Sequence, residues 1–204
     1  MPPRLTASAR RAQLVDIGRI VFAKRGYESA SIEEIADRAK VSRPIIYEHF
    51  GGKEGLYAVV IDREMEYVVR RIADAISSGT SRERFESAVL AFLTYVKDHP
   101  DGFAVLTHDR PVALAGTSMS SLLNDLAERV GGVFAETFKA AGYDPKSAPI
   151  YAHALVGMVT FVGQWWTEVR KPSVDEVASH IAALGWMGLR HLPRKPKRRP
   201  ATKK

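Results

Sequence analysis

The side chains with the clearest chemistry lie close together between residues 42 and 53. Hydroxyl, guanidinium, phenol, imidazole and ammonium groups follow one another there: Ser42, Arg43, Tyr47, His49 and Lys53, with Pro44 beside the arginine. All five polar groups donate hydrogen bonds, and the first of them open a short predicted helix whose free amide groups also favour phosphate. The pattern indicates contact with a polyanion.

Nothing comparable points to catalysis or to a bound metal. The chain has no cysteine, which removes thiolate zinc sites, iron–sulfur clusters and cysteine nucleophiles. Its six histidines show no paired metal spacing, and no nucleophile motif occurs. Gly51-Gly52-Lys53 lacks the rest of a P-loop and is more simply a turn before a helix. We therefore expect no enzyme activity, no metal and no cofactor.

Two short predicted helices joined by a tight turn would position the polar side chains. Ser31-Ile32-Glu33-Glu34 has the form of a capping box that starts the first helix, and Ser42 with Pro44 starts the second. The first helix has one apolar face, and Val41 would plug the turn. These are the dimensions of a helix-turn-helix, although many helical hairpins share them.

The rest of the chain also carries apolar residues at helical spacing, without a convincing strand. The sequence predicts an all-α protein of about nine helices. We divide it into a three-helix N-terminal domain at residues 1–52, a second helical domain at residues 53–192 and a disordered basic tail at residues 193–204.

The formal charge of +7 is distributed unevenly along the chain. Residues 1–60 carry a net +3, residues 61–189 a net −4 and residues 190–204 a net +8. Basic ends are typical of contact with nucleic acid, although surface Lys and Arg also simply keep proteins in solution. Since neither a signal peptide nor an apolar run of membrane-spanning length occurs, we expect a cytoplasmic protein that does not enter the membrane.

Taken in order, these motifs resemble the DNA-binding domain of TetR-type transcriptional regulators over about residues 8–60. The resemblance rests on five segments: Phe22-Ala23-Lys24-Arg25-Gly26-Tyr27, Ser31-Ile32-Glu33-Glu34-Ile35-Ala36, Ala39-Lys40-Val41-Ser42, Ile46-Tyr47-Glu48-His49-Phe50 and Lys53-Glu54-Gly55-Leu56. One departure is Lys40, since the family most often has glycine there. We expect a non-glycine residue with positive φ at this position.

The resemblance implies a role in binding double-stranded DNA for each polar side chain. It places Ser42, Arg43 and Pro44 in the major groove, where the fork of Arg43 is the best candidate for reading a guanine. Phosphate contacts are implied for four residues: Ser31, Tyr47, His49 and Lys53. Tyr47 as a packing residue and His49 as a helix C-terminal cap remain alternatives. Either a minor-groove arm or a solvated face is expected for three arginines: Arg4, Arg10 and Arg11.

The resemblance further implies a homodimer, formed by the last two long helices, and a small-molecule effector. The segment from Ala152 to Trp166 is apolar on nearly every side, which fits burial against two partners or at the centre of a monomer. A dimer would read a palindromic operator. Ten residues are predicted effector contacts, although each is also an ordinary core residue type: Phe92, Phe103, Leu106, His108, Met119, Leu123, Phe134, Met158, Phe161 and Trp165.

The expected function is that of a repressor that a small, largely apolar effector releases from its operator. Leu155-Val156-Gly157-Met158 and residues 186–189 faintly resemble regulators of lipid metabolism that sense acyl-CoA, so acyl-CoA or another apolar compound is the expected effector. Two alternatives remain. The protein is an activator of the same family, or it binds DNA without sequence preference through its basic tail.

Overall fold

The computed structural model describes residues 5–107 and 119–193, except for the side chains of residues 119–122, 125 and 133. Within these ranges the chain forms nine α-helices and no strand, which confirms the all-α prediction: α1 (Ala7–Ser29), α2 (Ile32–Ala39), α3 (Arg43–Phe50), α4 (Lys53–Ala75), α5 (Ser81–Asp98), α6 (Pro100–Thr107), α7 (Met119–Ala140), α8 (Ala148–Val169) and α9 (Val174–Arg190). None of these helices is long and apolar enough to span a membrane. Three predicted features lie outside the described residues: Arg4, His108 and the tail from Arg194 onward.

Side-chain caps explain where several helices begin. Ser31 accepts a hydrogen bond from the amide three residues further on, as the sequence predicts, and Ser173 accepts one in the same way. Thr80 and Glu83 form a complete capping box, in which each side chain accepts from the backbone amide of the other. The Thr80 amide and, second, the Thr80 hydroxyl donate to the Glu83 carboxylate and hold its pKa below the ordinary value. Asp144 caps the short 3-10 turn Pro145–Ser147 before α8, and α8 itself has no side-chain cap.

Two backbone positions with positive φ shape the N-terminal helices. Lys40 adopts φ 55° and ψ 47° between α2 and α3, as predicted, and its amide donates to carbonyls of the last turn of α2. Gly26 has φ 72° and ψ 168°. A further helical turn follows this kink and ends at Ser29.

A first hydrophobic core, the N-terminal core, joins α1, α2, α3, the first half of α4 and α6. Its centre consists of large side chains less than 2% exposed, namely Leu14, Phe22, Ile35, Ile46 and Leu56. Burying a side chain of this size stabilises the fold by about 1.5–3 kcal/mol. Ile46 is the buried residue of α3 and packs into this core, so the opposite face of that helix stays exposed.

A second core lies among α4, α5, α6, α8 and α9, while α7 packs along α8. α4 contributes Leu56 to the N-terminal core and Val68 to the second core. The boundary drawn between residues 52 and 53 therefore falls at the start of a helix that both cores share. A movement of α4 would therefore displace side chains in both cores.

Candidate DNA-binding surface and effector cavity

The N-terminal end of α3 is exposed and polar. Ser42, Arg43 and Pro44 are all exposed there, and Tyr47, one turn further on, is 55% exposed. Ser42 occupies the N-cap position, but its hydroxyl makes no capping hydrogen bond. The hydroxyl and the first amides of α3 are therefore available to an outside acceptor. The structure brings four of the predicted DNA contacts together at one helix end.

Arg43 is held across the turn by a residue of α2. Its Nη1 donates to Glu33 Oε1 at 2.8 Å, and both side chains are more than half exposed. The backbone amide of Glu33 and, second, the bond from Arg43 keep the pKa of the Glu33 carboxyl below its ordinary value. Such an exposed pair is worth little, so a guanine or a phosphate can take over the guanidinium at small cost.

His49 lies at the other end of α3 and is only partly exposed. Its backbone carbonyl accepts a hydrogen bond from Arg11 Nη1 at 2.5 Å, and the same guanidinium stacks on Phe50, 4.4 Å from the ring centre. Arg11, one of the arginines considered for a minor-groove arm, thus fixes the C-terminus of α3. Arg10 is bonded to Gln13 on its own helix at 2.6 Å.

Lys53 and Ser31 are both engaged within the protein. Lys53 Nζ donates to the carbonyls of Tyr27, Glu28 and Ala30 at 2.8, 3.2 and 3.0 Å, and it lies 4.5 Å from the Tyr27 ring centre. The ammonium therefore satisfies the end of α1 and binds it to the first turn of α4. Ser31 Oγ accepts from the Glu34 amide at 3.1 Å. If Lys53 and Ser31 also contact DNA phosphates, as predicted, they must do so while keeping these hydrogen bonds within the protein.

A buried polar cluster joins both cores at the middle of α4. Glu64 is 8% exposed and accepts a hydrogen bond from the Tyr95 hydroxyl of α5 at 3.0 Å. Arg19 of α1 lies 3.6 Å from the other carboxylate oxygen. Burial and, second, the nearby Glu64 charge raise the pKa of Tyr95 far above its ordinary value, so Tyr95 remains a donor. Gly102 of α6 completes the cluster, because a Cβ there would overlap Glu64.

A cavity of about 540 Å³ lies among α4, α5, α7, α8 and α9. This volume is typical of small-molecule sites. Most of its wall is apolar, including Ile72 of α4, Ile76 directly after that helix, and Phe85, Leu126, Val159 and Trp186 of the other helices. The cavity therefore shares α4 with the N-terminal core.

The structure reassigns most of the predicted effector contacts. Phe92 and Phe134 line the cavity, whereas four other predicted residues do not: Phe103, Leu106, Leu123 and Met158. Phe103 is instead buried in the second core, with its ring edge-on to Phe92 at 6.0 Å. Of Met119 only the backbone is described.

Phe161 and Trp165 need a further correction, because they lie on the face of α8 opposite the cavity. They are 75% and 45% exposed, whereas Val159 lines the cavity wall. The sequence could not separate these faces, since α8 is apolar all round. Other large apolar side chains of α8 and α9 are exposed as well, and we call these residues together the outer face: Ile150, Phe161, Trp165, Val169, Leu184 and Met187.

Fold and site together define a helix-turn-helix DNA-binding regulator with a separate, largely apolar cavity. No group of three or more His, Asp or Glu residues in the described part of the chain could hold a metal. The model of bacterial regulatory proteins of the tetR family matches residues 14–60, and that of the tetracyclin repressor-like C-terminal domain matches residues 69–200. The chain belongs to the TetR family, whose members are transcriptional regulators and not enzymes.

Relatives include an activator and a repressor. The transcriptional activator FasR of Mycolicibacterium smegmatis is 29% identical over 193 residues, which cover 93% of this chain and 87% of FasR. The transcriptional repressor KstR2 of Rhodococcus jostii is 30% identical over 187 residues, 89% of this chain and 92% of KstR2. A TetR-like transcriptional regulator from Rhodococcus sp. RHA1 has a crystal structure similar to this fold, with a TM-score of 0.75 at 28% identity over 93% of this chain and all of that one.

Proposed function

We propose that this protein is a dimeric repressor that leaves a palindromic operator when a small, largely apolar effector fills the cavity. The observation that carries the proposal is the position of α4. Lys53 in its first turn holds the end of α1, and Ile72 and Ile76 near its other end line the cavity. A ligand that shifts this helix therefore acts on the base of the DNA-binding surface.

On the DNA, the exposed end of α3 enters the major groove. Arg43 leaves Glu33 and reads a guanine, while Ser42 and Pro44 contact neighbouring positions. Tyr47 hydrogen-bonds a phosphate through its exposed hydroxyl. Arg11 of α1 holds the C-terminal end of α3 in place through its hydrogen bond to the His49 carbonyl.

The outer face of α8 and α9 binds a second copy of the chain. Its large apolar residues have no cover within one chain: Leu184 is 63% exposed and Met187 54%. Pairing them with the same residues of a second copy, around a twofold axis, would remove this area from water. It would also set two α3 helices at the spacing of successive major grooves, about 34–36 Å.

Coupling between cavity and DNA runs through the buried cluster on α4. Glu64 is held at once by Arg19 of α1 and Tyr95 of α5. When the ligand displaces α5 or the end of α4, this cluster carries the change to α1. The two α3 helices then no longer fit successive grooves, and DNA affinity falls. Since DNA is its target, the protein acts in the cytoplasm.

Selection of bound duplexes from random DNA at about physiological salt tests this function. We expect an inverted repeat, with binding lost in Arg43→Ala. Arg82→Ala removes the same charge from the start of α5, where Arg82 pairs with Glu86 at 2.7 Å, and should keep the repeat. If no sequence is enriched and deletion of residues 194–204 removes most of the DNA affinity, the protein is instead a nonspecific binder.

The direction of regulation needs a second assay. KstR2, the 30% identical relative, is a repressor, whereas FasR is an activator. In vitro transcription from a promoter that carries the selected repeat should decrease on addition of the protein. An increase would favour the activator alternative.

A further inference from the structure

Two arginines line the effector cavity of the proposed function. Arg84 lies in the first turn of α5, and Arg190 is the last residue of α9. α5 and α9 pack against each other, and a Cβ on Gly185 of α9 would lie 2.6 Å from the ring of Phe85. Arg84 is next to Phe85 in the chain and Arg190 follows Gly185 within about two helical turns, so this contact brings the two arginines, far apart in sequence, to the same region of the cavity wall.

Neither arginine has a partner in the described part of the chain. Every ion pair there uses other arginines, and no side-chain hydrogen bond or cation–π contact involves Arg84 or Arg190. The described cavity wall contains no carboxylate, and its other polar side chains are hydroxyls and the indole of Trp186. Both arginines are exposed and border the cavity without a counter-charge among the described residues.

The rest of the cavity wall is mostly apolar. Phe92, Leu126 and Val156 belong to this apolar part, as does Val159 of α8. A ligand that fills this space gains by removing hydrocarbon from water. A ligand that also reaches the arginines gains charge-assisted hydrogen bonds if its end is anionic.

We propose that the effector is an amphipathic anion, with its hydrocarbon chain between α5, α7 and α8 and its acidic group on Arg84 and Arg190. This inference rests on the effector cavity of the proposed function and adds the chemical class of the ligand. The shared chemistry is a carboxylate or phosphate oxygen next to an aliphatic chain. A free fatty acid and an acyl-CoA are its two sources.

Calorimetric titration of the full-length protein without DNA tests the charge requirement. The probes are dodecanoate, dodecanol and dodecyltrimethylammonium, each below its micelle concentration. Dodecanoate should bind at least about tenfold more tightly than dodecanol, as expected for one charged hydrogen bond. Dodecyltrimethylammonium should bind most weakly, because the arginines repel it.

Matched variants assign the effect to the two side chains. Arg84→Met with Arg190→Met should reduce dodecanoate binding to the level of dodecanol and leave dodecanol unchanged. Arg82→Met removes a neighbouring charge that faces Glu86 and should preserve the preference. Arg84→Glu with Arg190→Glu should reverse it towards dodecyltrimethylammonium.

A final arm separates the two sources of the anion. Tighter binding of dodecanoate than of dodecanoyl-CoA supports a free carboxylate as the head group, and the reverse order supports a phosphate-bearing thioester. Equal binding of dodecanoate and dodecanol, or no binding of either anion, overturns the proposal. If dodecanol binds equally well and still releases DNA, the regulator function stands and only the charged head group is wrong.

Discussion

In the N-terminal core, the cationic side chains are tied to the protein itself: Lys53 to three carbonyls, Arg11 to the His49 carbonyl and Arg19 to Glu64. At the cavity, Arg84 and Arg190 have no such partner among the described residues. The same residue types therefore serve two purposes in one chain. Where the partners are internal the cations fix the position of helices, and where partners are missing the cations mark a place for an outside anion.

Arg43 lies between these two cases. It has an internal partner, Glu33, but the pair is open to solvent on both sides. Because an exposed ion pair is weak, it positions the Arg43 side chain but releases it at small cost. The comparison thus predicts how much the free energy of unfolding or the DNA affinity changes when each cation or its partner is replaced.

The largest effect on stability is expected for Glu64→Gln. This change removes the charge between Arg19 and Tyr95 while nearly preserving shape. Because it leaves Arg19 partly buried without its counter-charge, the free energy of unfolding should fall by about 2–4 kcal/mol. Urea denaturation measures this fall.

Asp16→Asn is the matched control for that change. Asp16 pairs with Arg63 at 3.0 Å, but both side chains are about half exposed. The control should cost less than about 1 kcal/mol. Equal losses in the two variants would show that the cluster on α4 does not join the cores.

Lys53→Met should have the next largest effect. The apolar stem stays, but three carbonyls at the end of α1 lose their donor, so the free energy of unfolding should fall by about 2 kcal/mol. The salt dependence of DNA binding should not change. Lys24→Met, at an exposed lysine of α1, serves as control.

Unchanged stability of Lys53→Met would contradict this account of Lys53. If the slope of log affinity against log salt also dropped by about one, Lys53 would be a phosphate contact, as the family resemblance implies. Both quantities come from the same protein preparations.

Local signals explain how much of the fold could be predicted from the sequence. The cap at Ser31 and the left-handed Lys40 depend on residues a few positions apart, and the structure confirms both. The bonds of Lys53 span 23–26 residues and needed the tertiary fold. No local pattern distinguishes such a capping lysine from a phosphate contact.

The residues that line the cavity were also hard to predict, because their positions depend on tertiary packing and not on a local pattern. α8 is apolar on all sides, so periodicity could not tell the cavity wall at Val159 from the outer face at Phe161. Arg84 and Arg190 line one cavity only because α5 packs against α9 in the tertiary fold. An arginine in the first turn of a helix, where the dipole disfavours it, was the one signal that could have drawn attention to Arg84.

A smaller effect is expected for Glu33→Gln, which releases Arg43. Affinity for the selected operator should increase by about threefold, because the guanidinium no longer has to leave a carboxylate. Glu48→Gln removes a charge from α3 itself, where Glu48 is exposed, and should increase affinity less. A loss of affinity in Glu33→Gln would mean that Glu33 positions Arg43 for the DNA. Fluorescence anisotropy resolves these differences.

The smallest effect should come from the cations without partners. Arg84→Met and Arg190→Met, measured without ligand, should each change the free energy of unfolding by less than about 0.5 kcal/mol. A loss of about 1 kcal/mol for Arg190→Met would assign it to the C-terminal dipole of α9 instead. Thermal unfolding curves are sufficient to distinguish the two results.

The measurement that tests the central claim most directly is the anisotropy of a labelled operator duplex, titrated with the wild-type protein with and without saturating dodecanoate. Ligand binding is verified in parallel by calorimetry. We predict that dodecanoate weakens DNA binding by at least about fivefold, the lower end of allosteric coupling between sites. Unchanged DNA affinity with dodecanoate bound in the cavity would contradict the account, because α4 would then not connect the cavity with α3.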